Sequence, residues 1–192
     1  MESETGNGTG CEGATVRGCE GARVRGCEGA TVQDAKLQGG FTEAQKRANV
    51  IALAFAGSEE RFNEFLRVIR EEIPEGTTVV LRGSAVTGKR WKDGAAFDAD
   101  GVGTSDLDLT LVGDEVIGWF KVHGFFVPGV HSRPLSDQDP DIAPSLIPLR
   151  ETLMVMTGRP VNIQASRDLV MHVRGDLLDQ PYLTLIDRAN GQ

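Results

Sequence analysis

The stretch Gly103-Thr-Ser-Asp-Leu-Asp-Leu-Thr-Leu-Val112 constrains the fold of this chain more than any other. Leu107, Leu109 and Leu111 alternate with Asp106, Asp108 and Thr110. Successive side chains in a strand point to opposite faces, so the spacing predicts three leucines on one side and two carboxylates on the other. The leucine side enters a core. On the other side two adjacent like charges repel unless a cation lies between them. Mg²⁺ suits such a pair, because it takes oxygen ligands and is commonly held by one or two carboxylates plus substrate phosphates.

Upstream, Thr77-Thr-Val-Val-Leu81 is a β-rich run that leads at once into Arg82-Gly-Ser-Ala85. A strand that breaks at Gly-Ser and continues toward a helix exposes backbone N–H groups. Together with the hydroxyl they can cradle phosphate oxygens. Asp-x-Asp alone is equally what a solvated strand face offers, and Gly-Ser alone is what a turn offers. In this order, each beside a β-run, they resemble the nucleotidyltransferase superfamily typified by DNA polymerase β. The signature of that superfamily is Gly-Ser followed by Asp-x-Asp on the next strand. Gly83 and Ser84 match the first element, Asp106 and Asp108 the second, and the resemblance spans residues 58–179.

The resemblance implies an α/β (α+β) fold, a small mixed sheet flanked by helices. It implies a metal-dependent nucleotidyltransferase that moves a nucleoside monophosphate from a nucleoside triphosphate to a hydroxyl of a small molecule or a protein. ATP is the expected donor on cellular abundance. Two Mg²⁺ or Mn²⁺ ions are implied, with Asp106 and Asp108 as metal ligands and catalytic carboxylates, and Gly83 and Ser84 as the phosphate-binding turn. Lys89 and Arg90 follow that turn, where a helix either aims them at phosphates or leaves them as solvated surface charge. The family normally carries a third carboxylate on a later neighbouring strand. Here that strand is expected at 160–164, and the aligned position is Asn162. An amide can ligate a metal through its carbonyl oxygen, but it adds no negative charge and cannot take up the acceptor's proton as a carboxylate does. Asp168 either substitutes for it or sits in the first turn of the next helix. Asn162 therefore favours an alternative, a catalytically weak or inactive member of the fold that binds a nucleotide or a partner protein. A third reading is an unrelated α/β binding module. Larger members of the family hold the acceptor in an extra helical domain. This chain ends soon after the expected last helix, so a partner protein or a second copy is expected to complete an acceptor site.

Charge bears on the acceptor. The net charge is −8, and residues 41–192 alone carry 22 acidic and 16 basic side chains. Proteins that grip nucleic-acid backbones carry a basic stripe, which is not visible here. This argues against a nucleic-acid partner. The length suits one domain, residues 41–192, with an extension at 1–40. Apolar runs fall short of the ~18 residues that cross a bilayer, and the N-terminus lacks a secretory pattern, so the expected location is the cytoplasm without a membrane partner.

The extension holds three tandem octads over Gly10 to Gln33, each beginning Gly-Cys-Glu-Gly-Ala. They place Cys11, Cys19 and Cys27 eight residues apart. Structural metal sites use closer pairs, and disulfide frameworks usually use an even count. Each octad has two glycines and a single valine, too little to bury a core, so a flexible low-complexity segment is expected; an even period also admits a small β-stack.

In the body, Thr42 with Gln45 forms a capping-box pattern opening a helix whose apolar positions are Ala44, Ala48, Ile51, Ala52 and Phe55. A second helix starts at Ser58 with Phe62, Phe65, Leu66, Ile69 and Ile73 on one stripe. Asp98 and Asp100 read as turn residues or an accessory acidic patch in a long insertion at 85–105. A short helix is expected at 114–120, then an apolar strand or loop at 124–127. Residues 127–148, rich in proline, read as an irregular surface loop, on which His131 and Arg133 either contact a ligand or stand exposed. A helix at 149–156 and a strand at 159–164 follow. A last helix after Ser166 carries Leu169, Val170, Val173, Leu177 and Leu178, and His172 on it is structural or exposed.

Overall fold

A computed structural model describes residues 40–172 and 180–187. The octads with their cysteines, and Val173, Leu177 and Leu178, lie outside the described residues. Helix α1 (Glu43–Ala54) opens with the capping box. Thr42 Oγ1 accepts the Gln45 N–H at 3.2 Å, and Gln45 Oε1 accepts the Thr42 N–H at 2.8 Å. Its inward face differs from the alanine stripe expected. Ala44, Ala48 and Ala52 are exposed, and Lys46, Val50, Ile51 and Ala54 are buried. Alanines gain little by burial, whereas Lys46 sinks its whole stem. Its ammonium donates to the Tyr182 carbonyl at 2.7 Å and ion-pairs with Glu43. Helix α2 (Glu59–Glu72) follows its predicted stripe. Ser58 caps it, and Phe62, Phe65, Leu66 and Ile69 are buried. The Phe55 ring meets Phe62 and Phe65 edge-on, with centroids 5.3 and 5.1 Å apart.

Six strands form one mixed sheet: β1 (Thr78–Arg82), β2 (Leu107–Val112), β3 (Phe125–Val127), β4 (His131–Ser132), β5 (Val161–Ser166) and β6 (Tyr182–Ile186). Their order is β3-β4-β5-β2-β1-β6. Strands β2 and β5 run parallel, and the other neighbours are antiparallel. Among the described residues four further α-helices lie between strands: α3 (Ser84–Thr87), α4 (Asp114–Ile117), α5 (Ile147–Thr157) and the turn α6 (Leu169–Met171). The architecture is thus mixed α/β, a mixed sheet flanked by helices.

The two faces of the sheet differ in chemistry. Val79, Leu81, Leu107, Leu109, Leu111, Val161, Ile163, Ala165, Leu183 and Leu185 point to one side and join α1, α2 and α5 in the core. Each fully buried aliphatic side chain stabilises by roughly 2 kcal/mol relative to exposure, before entropy. The alternate positions, Arg82, Asp108, Thr110, Asn162, Gln164 and Ser166 with the buried Val80 and Val112, form the other side.

Two further expectations are corrected. Strand β6 was not anticipated; the sequence reading ends on a helix, yet Leu183 and Leu185 alternate into the core. The proline-rich segment 127–148 is no surface loop. It contains β4 and buries Leu135, Ile142, Ala143 and Leu146, because proline restricts the backbone without preventing side chains from turning inward. Leu135 exchanges two backbone hydrogen bonds with Ile163, of 2.7 and 3.1 Å, and so covers the edge of β5. No helix among the described residues is long and apolar enough to cross a membrane.

Candidate functional site

The register of β1, β2 and β5 brings the sequence motifs together. Arg82 pairs with Asp108, and Asp108 pairs with Asn162, so their side chains emerge side by side on the polar face. Asn162 Nδ2 donates to Asp106 Oδ2 at 2.7 Å and to Asp108 Oδ1 at 3.0 Å. Ionised carboxylates only accept, which fixes the amide nitrogen toward them. Burial first, and then the Asp108 charge, push the Asp106 carboxyl above its ordinary range. The residue as a whole is exposed, so solvent softens this repulsion.

The Gly-Ser turn adjoins this pair. Gly83 has φ 91° and ψ −164°, a conformation essentially confined to glycine. A Cβ at Gly83 would lie 3.4 Å from Asp108 Oδ2, an ordinary van der Waals separation, so the turn and this carboxylate are immediate neighbours. Ser84 is buried at the start of α3, and Val86 N–H returns to the Gly83 carbonyl at 3.1 Å. α3 ends at Thr87, where Gly88 takes a left-handed conformation. Lys89 and Arg90 therefore lie beyond the helix that was expected to carry them. Lys89 is exposed and bridges to Ala96, while the Arg90 guanidinium is held by Asp100 at 2.6 Å and Asp93 at 3.4 Å. Gly83, Thr87, Lys89, the exposed Trp91, Gln180 and Pro181 line a shallow groove beside the turn. A wider hollow along α2 lies on the helical layer, away from the carboxylates, and its Arg67 is already paired with Glu64 and Glu71.

Asp98 is a clamp rather than part of an acidic patch. It accepts from Arg159 at 3.0 Å and from the backbone N–H groups of Ser105 and Gly103. Burial alone would raise its pKa, but Arg159 and the two N–H groups reverse this and hold the carboxyl well below its usual range. Arg159 also donates to the Ser105 carbonyl at 2.9 Å and stacks its guanidinium over Phe97. The backbone directly before Asp106 is thereby fixed from both its N–H and its C=O. At the far end of β5, Asp168 lies six residues beyond Asn162, at the entry to α6, and so does not complete the carboxylate pair.

Behind the carboxylates the polar face continues inward. Arg82 Nη2 donates to Gln164 Oε1 at 2.9 Å, and Gln164 Nε2 lies 3.1 Å from His131 Nε2. His131 is buried between the Phe126 and His172 rings, with centroids at 6.0 and 5.1 Å. His172 is buried against the Thr110 hydroxyl at 3.0 Å. His131 is thus no exposed loop residue, and Arg133 pairs with Asp139 at 2.9 Å. Arg82 and Gln164 were missed in the sequence. The alternation of Asn162, Gln164 and Ser166 in β5 was a signal for Gln164; the run Thr78-Val-Val-Leu-Arg82 does not alternate and offered none for Arg82.

Two carboxylates and one amide suit a divalent cation. The like charges and the raised Asp106 pKa mark a place where a cation would relieve repulsion, and rotation of the Asn162 amide would present Oδ1 to it. Among the described residues no three His, Cys, Asp or Glu side chains converge, so any such ion would rest on Asp106, Asp108 and Asn162. Comparison of the chain with protein-family models, with curated proteins and with solved structures finds no match.

Proposed function

We propose that this face is a metal-dependent nucleotide site of the polymerase β-like type, and that the protein is a nucleotidyltransferase acting from ATP or another nucleoside triphosphate. The observation that carries the reading is the meeting of Gly83 with Asp108 across β1 and β2, at 3.4 Å from the virtual Cβ to Oδ2. Two motifs of a two-part signature, separated by more than twenty residues, adjoin one another on one face.

Each residue has a stated task. Asp106 and Asp108 hold Mg²⁺ or Mn²⁺, and Gly83 lets a phosphate approach the backbone closely. Backbone N–H groups of the Gly83–Ala85 turn bind phosphate oxygens, and exposed Lys89 adds positive charge at the rim of the groove. Asp98 and Arg159 position Asp106 by fixing Ser105. A bound divalent ion would neutralise phosphate charge and favour in-line attack by an acceptor hydroxyl. The acceptor is a small molecule or a protein, in keeping with the acidic composition.

A second reading, nucleotide binding with weak or no turnover, is favoured by Asn162. Its amide donates to both carboxylates and has no capacity to accept the acceptor's proton. One experiment addresses both readings. The purified protein is incubated with labelled nucleoside triphosphates, Mg²⁺ or Mn²⁺ and cell extract, beside the Asp106→Asn/Asp108→Asn variant. Transfer of label by the wild type alone supports the enzyme. Cation-dependent nucleotide binding without transfer supports the second reading, and equal ATP affinity in both proteins sinks both.

A further inference from the structure

Arg82 is a cation placed among these carboxylates to which the nucleotide site as described gives no task. Its guanidinium lies 3.6 Å from Asp108 Oδ2, beyond the ~2.8 Å of a charge-assisted hydrogen bond. Among the described residues, its guanidinium makes one hydrogen bond of ordinary length, to a neutral group, Gln164 Oε1, at 2.9 Å. Its Nε is buried and has no hydrogen-bond partner among the described residues. A structural arginine beside a carboxylate normally closes a two-pronged pair. Arg82 instead stands close enough to neutralise Asp108 while keeping a donor unused among the described residues, and it directly precedes Gly83 in the chain.

Local charge indicates what this arrangement does. Asp106 and Asp108 contribute two negative charges, Arg82 one positive charge, and Asn162 none. Before nucleotide binds, one divalent ion would leave the site at plus one, ready for a polyphosphate, whereas a second would leave it at plus three without a third carboxylate to balance it. We propose that Arg82 exchanges partners: it neutralises Asp108 in the cation-free site, then yields Asp108 to a single divalent ion and turns to a phosphate oxygen of the nucleotide held at Gly83. This rests on the nucleotide reading above and assigns a residue and a stoichiometry to it.

The test measures two affinities on the full chain. Mn²⁺ binding without nucleotide is followed by electron paramagnetic resonance, and ATP binding in saturating Mn²⁺ by calorimetry. Wild type should take up one Mn²⁺ per chain. Arg82→Gln should bind Mn²⁺ about tenfold more tightly, because a competing charge is gone, yet bind ATP about tenfold more weakly, because a phosphate donor is gone. These opposite signs are not what a merely structural role produces. Arg82→Lys guards against misfolding of the first variant. It keeps the charge and loses the fork, so Mn²⁺ affinity should stay within about twofold while ATP binding weakens. Two Mn²⁺ per wild-type chain, shifts of the same sign in Arg82→Gln, or unchanged ATP affinity in Arg82→Lys would overturn the exchange while leaving the nucleotide site standing. A wild type that takes up neither Mn²⁺ nor ATP would end both.

Discussion

The two faces of the sheet are built from alternate residues of the same strands, yet they are stabilised in different ways. Leu107, Leu109 and Leu111 are at most 1% exposed, and the helices α1, α2 and α5 cover their side of the sheet. Between and beside them Asp106, Asp108, Asn162 and Gln164 hold a set of charges and amides whose hydrogen bonds offset their own desolvation. A one-residue slip of β2 would exchange the faces. The apolar side therefore fixes the register, and the register in turn places Arg82, Asp108 and Asn162 side by side. Apolar packing is concentrated on one face, and hydrogen-bonded polar groups are gathered on the other.

The strongest way to break this division is on the core side. Leu109→Ala should cost about 4 kcal/mol in urea unfolding, from lost transfer energy plus an unfilled cavity. A cost below that of substitutions on the polar face would show that the leucine face does not dominate stability.

The clamp between Asp98 and Arg159 joins the two regimes, since it is partly buried and polar and it holds the backbone next to Asp106. Arg159→Ala should cost about 2 kcal/mol, because the partly buried Asp98 carboxylate loses its ion-pair partner while keeping its two backbone N–H donors. The sign with pH follows from the depressed Asp98 pKa. Near pH 3 to 4 the unfolded chain binds a proton that the folded chain does not. Wild-type stability from this pair is therefore complete above about pH 4 and is lost as pH falls below it. Unfolding series at pH 6 and pH 3 should show the gap between wild type and Arg159→Ala shrinking at the lower pH. A gap that widens would remove Asp98 as its source.

Asn162→Asp sharpens the comparison from the polar side. A third carboxylate beside Asp106 and Asp108 should lower stability without divalent ions by about 1–2 kcal/mol, and Mn²⁺ should restore it. Thermal unfolding with and without Mn²⁺ reads this directly. A loss that Mn²⁺ fails to relieve would mean that these side chains do not share a cation.

The smallest effect expected is that of Asp106→Asn. Its carboxyl is raised, so the folded chain takes up a proton before the unfolded one does, and stability in the absence of cations increases as pH falls through the raised value. Removing the charge should stabilise the cation-free protein at neutral pH by less than about 1 kcal/mol, given solvent screening. A clear loss of stability instead would show that the Asp106 charge is needed by the fold.

Where one pattern dominated, the sequence was legible. The leucine alternation of β2, the stripe of α2 and the capping box at Thr42 each reappear in the structure, because local periodicity and one-sided burial coincide there. The convergence of Gly83, Asp108 and Asn162 was legible through the order of motifs. The inward face of α1 was not, because buried Lys46 depends on a carbonyl of β6, 136 residues away. Strand β6 was missed because five residues after a proline carry too little signal alone; pairing with β1 makes them a strand. Arg82 and the buried His131–His172 contact depend likewise on neighbours distant in sequence.

One feature of the sheet sets the order in which the site can come into being. Gly83 and Asp108 meet across an antiparallel pair, β1 and β2, that are consecutive in the chain. Asn162 joins them through the parallel pairing of β2 with β5, after a crossover that includes α4, β3, β4 and α5. Closing so long a loop must precede the contacts that reward it, which makes this step slow relative to formation of β1 and β2. A nascent chain that has not yet reached β5 would hold the glycine and the aspartates but not the amide that bridges them. The contact between Asn162 and its two carboxylates therefore forms only once the crossover has closed.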